Sequence, residues 1–311
     1  MKYDICVLGG CSLHLPFFMR EDGTYSNTPD SIVLGGKGAN QAVAASRAGA
    51  RTTIITRLGN DENGRKIKEN LIQNNIDVSN VTTVGGLEND LAKVFIDKNG
   101  DNLMKRSSDA SNSFYPEMIY ENKDVLLNSK IILAQLKMPR EVLVELVHFC
   151  HQNNLKLVVT PTKPEELSVT TKENIELLDK ISYITLNQSE FEVIFQTIDY
   201  MKYLMKYPNK LFITLSKDGM IYYDGKEKIH YEAVEVPKVV DRTGAGDTYC
   251  GNFAASLALE GNIDEAIKRA MFASAYKVQS KTAQAGMPTF IELNTFIEEE
   301  EEKCNGLLRR I

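Results

Sequence analysis

The segment Val240-Asp241-Arg242-Thr243-Gly244-Ala245-Gly246-Asp247-Thr248 carries residue types that can grip an anion and move a proton beside it. Gly244, Ala245 and Gly246 are small enough to let the chain turn sharply and bring successive backbone N–H groups to one point. The amphipathic run that follows predicts a helix, whose N-terminus adds a partial positive charge and makes the turn an anion hole. Asp247 falls in the first turn of that helix, beside any phosphoryl group held there. Phosphoryl transfer through a loose transition state needs in-line positioning, charge neutralisation and a nearby acceptor for the hydroxyl proton. A carboxylate suffices as that acceptor. Alone at a helix start, an Asp is a cap that favours the dipole and nothing more. The Gly-Ala-Gly immediately before it, with Asp241 six residues upstream, favours the functional reading.

A second glycine-rich segment, Leu34-Gly35-Gly36-Lys37-Gly38-Ala39-Asn40-Gln41-Ala42, also runs into a helix-like stretch. It is not a P-loop, since no Ser or Thr follows the Lys and the glycine spacing differs. Either it lets a polar ligand approach backbone N–H groups, with Asn40 donating and accepting, or it is a glycine turn that closes a β segment. Gly9-Gly10 after the first strand lacks the rest of the dinucleotide fingerprint, which argues against a dehydrogenase.

These segments need a scaffold, and the apolar patterning describes one. Strand-length apolar runs at 5–8, 53–56, 131–136, 156–160, 183–186 and 211–215 alternate with helix-like stretches at 40–48, 64–74, 140–153, 245–259, 263–280 and 293–303. Leu143, Leu146, Val147 and Cys150 show the three- and four-residue spacing of one helix face. The alternation predicts an α/β fold around a mostly parallel sheet. Two β-rich stretches, 13–34 and 81–108, break the rhythm and predict a small sheet, a lid. Within the second, a hairpin turns at Asn99-Gly100. A β-like run at 233–236 precedes the Asp241 segment. The acidic run at 298–302 reads as the solvated face of a last helix.

The 311 residues suffice for one large domain with a sizeable core. A net charge of -6 excludes a general nucleic-acid binder, which needs a basic face. Five scattered cysteines without a C-x-x-C pair fit reduced thiols rather than a disulfide framework or zinc site. Residues 1–4 lack the charged and apolar regions of a signal peptide, and no apolar run reaches the roughly 20 residues of a membrane span. The expectation is a cytoplasmic protein with no membrane and no nucleic-acid partner.

Taken together, the two glycine segments resemble the signature regions of the ribokinase-like (PfkB-type) carbohydrate kinases. Residues 35–42 look like the N-terminal signature. Residues 241–251 look like the C-terminal one, D-T-x-G-A-G-D-x-F-x-G, with Arg242 and Tyr249 as mild variants. Two signatures about 200 residues apart argue against coincidence. The resemblance spans nearly the whole chain in length and element order. It implies a central, mostly parallel sheet flanked by helices, with residues 1–311 forming a single kinase domain. The β-lid of 13–34 and 81–108 would close over the sugar and pair with a second subunit's lid in a homodimer. It implies ATP as co-substrate, Asp247 as the catalytic base, and Gly244, Ala245 and Gly246 as the anion hole. Gly35, Gly36, Lys37 and Asn40 fall on the substrate side.

More of the family pattern can be placed. Asn187-Gln188-Ser189-Glu190 resembles its N-x-x-E, which implies Asn187 and Glu190 at Mg2+ and the ATP phosphates, partly through water. Magnesium that keeps its waters needs few direct ligands. Without the other motifs this segment is a strand-to-helix turn with an exposed glutamate. Thr214-Leu215-Ser216-Lys217-Asp218-Gly219 resembles the nucleotide-binding T-L-G-x-x-G, with Ser216 in place of a glycine. Thr214, Ser216 and Gly219 thus join Gly244 and Gly246 as implied ATP contacts. Asp241 and the backbone at Thr243 match positions that hold a potassium-like cation, although Ser280-Lys281-Thr282-Ala283 lacks the usual glycine.

The departures concern substrate. The family's ribose contacts are an Asn and an Asp after the first strand and a Glu after the strand at 131–136. Ser12, His14 and Lys137 stand there instead. Replacing acceptors by donors, one a fixed cation, costs discrimination for neutral hydroxyls. The expectation is a sugar or sugar-like substrate other than ribose, with an acceptor or a negative charge facing His14 and Lys137. A nucleoside is the alternative. A placement off by one residue, or a His14 facing the lid interface, would undo that inference. A non-catalytic, regulatory family member would have lost Asp247 or the anion-hole glycines, and all are present.

Overall fold

The computed structural model describes residues 1–26, 31–96, 102–135 and 137–303. Its strands are β1 (Tyr3–Leu8), β2 (Ser12–Phe18), β3 (Val33–Gly35), β4 (Thr52–Gly59), β5 (Val81–Val84), β6 (Asp90–Ile96), β7 (Asn102–Ser107), β8 (Ser129–Gln135), β9 (Lys156–Thr160), β10 (Tyr183–Asn187), β11 (Leu211–Thr214), β12 (Met220–Tyr223) and β13 (Lys228–Tyr231). Nine of them form one sheet in the order β13-β12-β11-β10-β9-β8-β1-β4-β5. All its pairings are parallel except β11–β12 and β12–β13.

Every residue of β1 is buried, because helices cover both faces of the sheet. Alternate residues serve opposite cores. Cys6 and Leu8 pack with helices Arg140–Gln152, Lys172–Lys180 and Gln188–Phe195. Ile5 and Val7 pack with helices Lys37–Arg47, Ala245–Glu260 and Ile263–Lys277. The alternating apolar runs and helix-like stretches expected for the main domain all form as strands and helices, with ends shifted by a few residues, whereas the β-like run at 233–236 does not.

A second, four-stranded sheet runs β3-β2-β6-β7, with β2 and β6 parallel and the outer pairs antiparallel. It is the expected small sheet, with two corrections. Val81–Val84 belongs to the main sheet, where it extends the edge beyond β4. Residues 233–236 form no strand. The hairpin arms pair as expected, Ile96 opposite Asn102, while its turn at Asn99-Gly100 lies outside the described residues.

At the start of β1, buried Asp4 takes hydrogen bonds from Arg51 Nε at 2.9 Å and Nη2 at 3.1 Å, and pairs with Lys130 Nζ at 2.9 Å. The carboxylate ties β1 to β8 and to the chain entering β4. The Arg51 guanidinium, aided by Lys130, holds its carboxyl well below the usual range. A depressed carboxylate pKa stabilises the fold above the unfolded pKa, and that contribution is lost as pH falls through the folded one. Asp4→Asn is therefore expected to cost about 1–3 kcal/mol at neutral pH. The deficit should narrow as pH falls below about 4. Thermal melts of both proteins across that range check this; a deficit that stays constant with pH would contradict it.

Candidate active site

The turn at Gly244 has φ +82, a left-handed conformation, and caps helix Ala245–Glu260. A Cβ there would lie 2.8 Å from Ala283 Cβ and 2.9 Å from its Cα, so glycine is required twice over. Asp247 sits in the first helical turn, 8% exposed. Both its oxygens are held. Asn40 Nδ2 donates to Oδ2 at 2.8 Å and Gln41 Nε2 donates to Oδ1 at 3.1 Å.

Each of those amides is oriented by a further one. Gln135 Nε2, at the end of β8, donates to Gln41 Oε1 at 2.7 Å. On the other side, Gln284 Nε2 donates to Asn40 Oδ1 at 3.0 Å, and Asn70 Nδ2 donates to Gln284 Oε1 at 2.9 Å. A carboxylate only accepts, so it fixes the direction of both chains of amides. Two close approaches make this reachable. A Cβ on Gly38 would lie 2.5 Å from Gly9 C, and one on Gly251 would lie 2.5 Å from Ala44 Cβ. Helix Lys37–Arg47 is thereby pressed against the end of β1 on one side and helix Ala245–Glu260 on the other.

Several of the residues expected on the substrate side gather around Asn40. A Cβ on Gly35 would come 3.6 Å from His14 Nε2 and 3.9 Å from Asn40 Oδ1, so these three face one space. Ser12 pairs with Gly35 in the β2–β3 register and with Asp90 in the β2–β6 register. Gly36, φ +91, precedes helix Lys37–Arg47, which begins at Lys37. Lys137 is not an unmatched cation. Its Nζ lies 3.0 Å from Oδ2 of Asp90, a fully buried carboxylate that also accepts from Ser111 N at 3.0 Å and from Ser111 Oγ. Burial, with the charges of Arg106 and Lys137, pushes the His14 pKa down, so the imidazole is neutral at neutral pH. Lys137 is thus paired with a buried carboxylate and the His14 ring is neutral, so neither presents an uncompensated charge here.

On the other side of the glycine turn opens a cavity of about 820 Å³. Asn187, Thr214, Ser216, Gly219, Ala245 and Gly246 line it, together with an apolar wall that includes Val234, Val236, Met271 and Val278. The segment at 233–236, read as a strand from its sequence, instead supplies part of this wall. Ser216 has φ +57, which explains why a glycine would suit its position. Asn187 and Glu190 form a capping box: Asn187 Oδ1 accepts from Glu190 N and Glu190 Oε2 accepts from Asn187 N, each at 2.9 Å. Glu190 does not line the cavity. Burial pushes its carboxyl pKa up, opposed by the Asn187 N–H and by Lys37 and assisted by the Asp247 charge. Glu190, Lys37 and Asp247 thus share one electrostatic neighbourhood. Asp241 accepts from Thr243 N at 2.8 Å and Thr282 N at 2.9 Å, so its carboxylate braces the loop ahead of the turn.

The sequence carries no local sign of Gln135, Gln284 or Asp90 as site residues, while Gln41 lies in the glycine-rich segment at 34–42, where sequence alone assigns it no role. Gln135 at the end of an apolar strand run is the nearest thing to a signal.

Comparison with known proteins identifies the family and the fold. The profile of the pfkB family carbohydrate kinases matches residues 4–290. The ribokinase of Bacillus subtilis is 31% identical over 298 residues, 94% of this chain and 99% of its own. That of Lactococcus lactis is 32% identical over 272 residues, 87% and 88% of the two chains. The structure of Arabidopsis thaliana ribokinase complexed with ribose and ATP superposes with a TM-score of 0.82 at 23% identity, covering 96% of this chain and 99% of that one. With relatives named ribokinase, the exclusion of ribose gains no support. The chain belongs to the pfkB family of carbohydrate kinases and is an ATP-dependent sugar kinase.

Proposed function

We propose that this kinase transfers the γ-phosphoryl group of ATP to a hydroxyl of a neutral pentose, with Asp247 as the base. The observation that carries this reading is the position of Asp247. Its carboxylate is pinned by Asn40 and Gln41 beside the space faced by Gly35 and His14, in the helical turn whose Gly246 lines the cavity opposite. ATP fits that cavity with its base against the apolar wall and its phosphates at the N–H groups of the Gly244–Asp247 turn. Asp247 takes the proton of the attacking hydroxyl, and the small sheet over the site excludes water so that transfer outruns hydrolysis.

Among the described residues no group of three or more His, Cys, Asp or Glu could hold a metal alone. That suits Mg2+, which keeps most of its waters; Glu190 and Asn187 would hold it through them, where it would neutralise phosphate charge. Phe18 and Leu103, 51% and 62% exposed on β2 and β7, support pairing of two lids in a homodimer. Four buried cysteines without a disulfide support a reducing, cytoplasmic setting, and among the described residues no helix is long and apolar enough to cross a membrane.

A coupled ADP-release assay with Mg-ATP tests the substrate. The panel is ribose, deoxyribose, hexoses, sugar acids, sugar phosphates and nucleosides. Turnover concentrated on a neutral pentose is expected. Turnover confined to sugar acids, sugar phosphates or nucleosides would overturn this choice of substrate.

A further inference from the structure

Lys277 ends helix Ile263–Lys277 and is wholly inaccessible to solvent, at 0% exposure. A buried ammonium needs strong compensation. This one donates to the backbone carbonyl of Asp241 at 2.7 Å and to that of Ser280 at 3.4 Å. Those carbonyls flank the loop where Asp241 and Thr243 were expected to hold a monovalent cation. The Asp241 carboxylate meanwhile spends its oxygens on the N–H groups of Thr243 and Thr282. Thr282, in the segment 280–283 that lacks the usual glycine, has φ +62, costly for a β-branched residue. The loop is therefore held in a strained form by contacts on all sides.

We infer that the Lys277 ammonium takes the place of a monovalent cation behind the anion hole, so that this kinase needs no potassium. The donor set fits a fixed cation that forms hydrogen bonds, and it does not fit an added K+, because the Asp241 carbonyl already receives a proton donor. Asp241 lies three residues before Gly244, so a positive charge bound to its carbonyl steadies the chain that enters the turn and adds to the field felt by a phosphoryl group. A plain C-terminal helix cap would use the same ammonium without this role. The functional part of the inference rests on the kinase reading above; the binding part does not.

The experiment compares KCl with choline chloride at matched ionic strength, measuring turnover and melting temperature separately. The wild-type protein should turn over equally in both, within about twofold, and its melting temperature should not rise with K+. Lys277→Ala and Lys277→Met should lose about tenfold or more in kcat in choline chloride, and KCl or NH4Cl should restore both kcat and melting temperature. Potassium activation or stabilisation of the wild-type protein would overturn the inference. So would variants as active as wild type in choline chloride, or variants whose lost stability no cation restores. Melting responds to K+ whether or not a substrate has been found, so failure of the kinase reading and failure of this inference are told apart.

Discussion

Asp247→Asn should abolish sugar phosphorylation while leaving nucleotide binding nearly intact. The loss expected from removing a general base is about 10²- to 10⁴-fold in kcat. Two effects act together. The amide cannot take the hydroxyl proton, and its NH2 end must face either Asn40 Nδ2 or Gln41 Nε2, both donors. Neither partner can turn over freely, because Gln284 and Gln135 donate to their far ends. In the proposed binding mode the nucleotide would meet the backbone of the turn and the apolar wall, which the substitution leaves in place. Turnover with a saturating sugar, beside a calorimetric titration with an ATP analogue, separates the two. Retained turnover would remove Asp247 from the role of base, and lost nucleotide binding would show that the turn itself had collapsed.

Gly251→Ala should damage stability and turnover together, although residue 251 touches no substrate. The new Cβ would lie 2.5 Å from Ala44 Cβ, 2.7 Å from Gln41 O and 2.9 Å from Ala45 N. Two of those atoms are backbone, so helices Lys37–Arg47 and Ala245–Glu260 must part. Overpacking of this kind costs about 1–3 kcal/mol. The helices carry Asn40 and Gln41 on one side and Asp247 on the other, so parting them lengthens both hydrogen bonds to the base. A fall of roughly tenfold in kcat is expected from such misplacement. A lowered melting temperature with unchanged kcat would show that the amides follow the base as the helices move.

Much of this was readable from local pattern. Strand-length apolar runs and helical spacing located the strands and helices, since burial of both sheet faces and the helical repeat each mark the local sequence. The glycine turn and Asp247 were legible because left-handed backbone and helix N-termini leave a mark within a few residues. What paired with what was not. Val81–Val84 is β-branched throughout and would suit an edge strand of either sheet, and only its register with Thr56 to Gly59 assigns it to the large one. Lys137 read as a lone cation because its partner, Asp90, is 47 positions away in the chain. Gln41 read as a polar residue on a helix until the crossing with Gly251 brought it to a carboxylate 206 positions distant. Lys277 fell inside the helix expected over 263–280, and only the structure, in which the helix ends there and the Asp241 carbonyl accepts from its ammonium, made it a buried charge. Apolar spacing thus determined the elements, and two signature segments pointed to the family and to Asp247 as the candidate base. The electrostatics around His14 and Lys137 and of the turn were decided by the tertiary structure, because a charge's effect depends on its partner and burial, and neither is a local property of sequence.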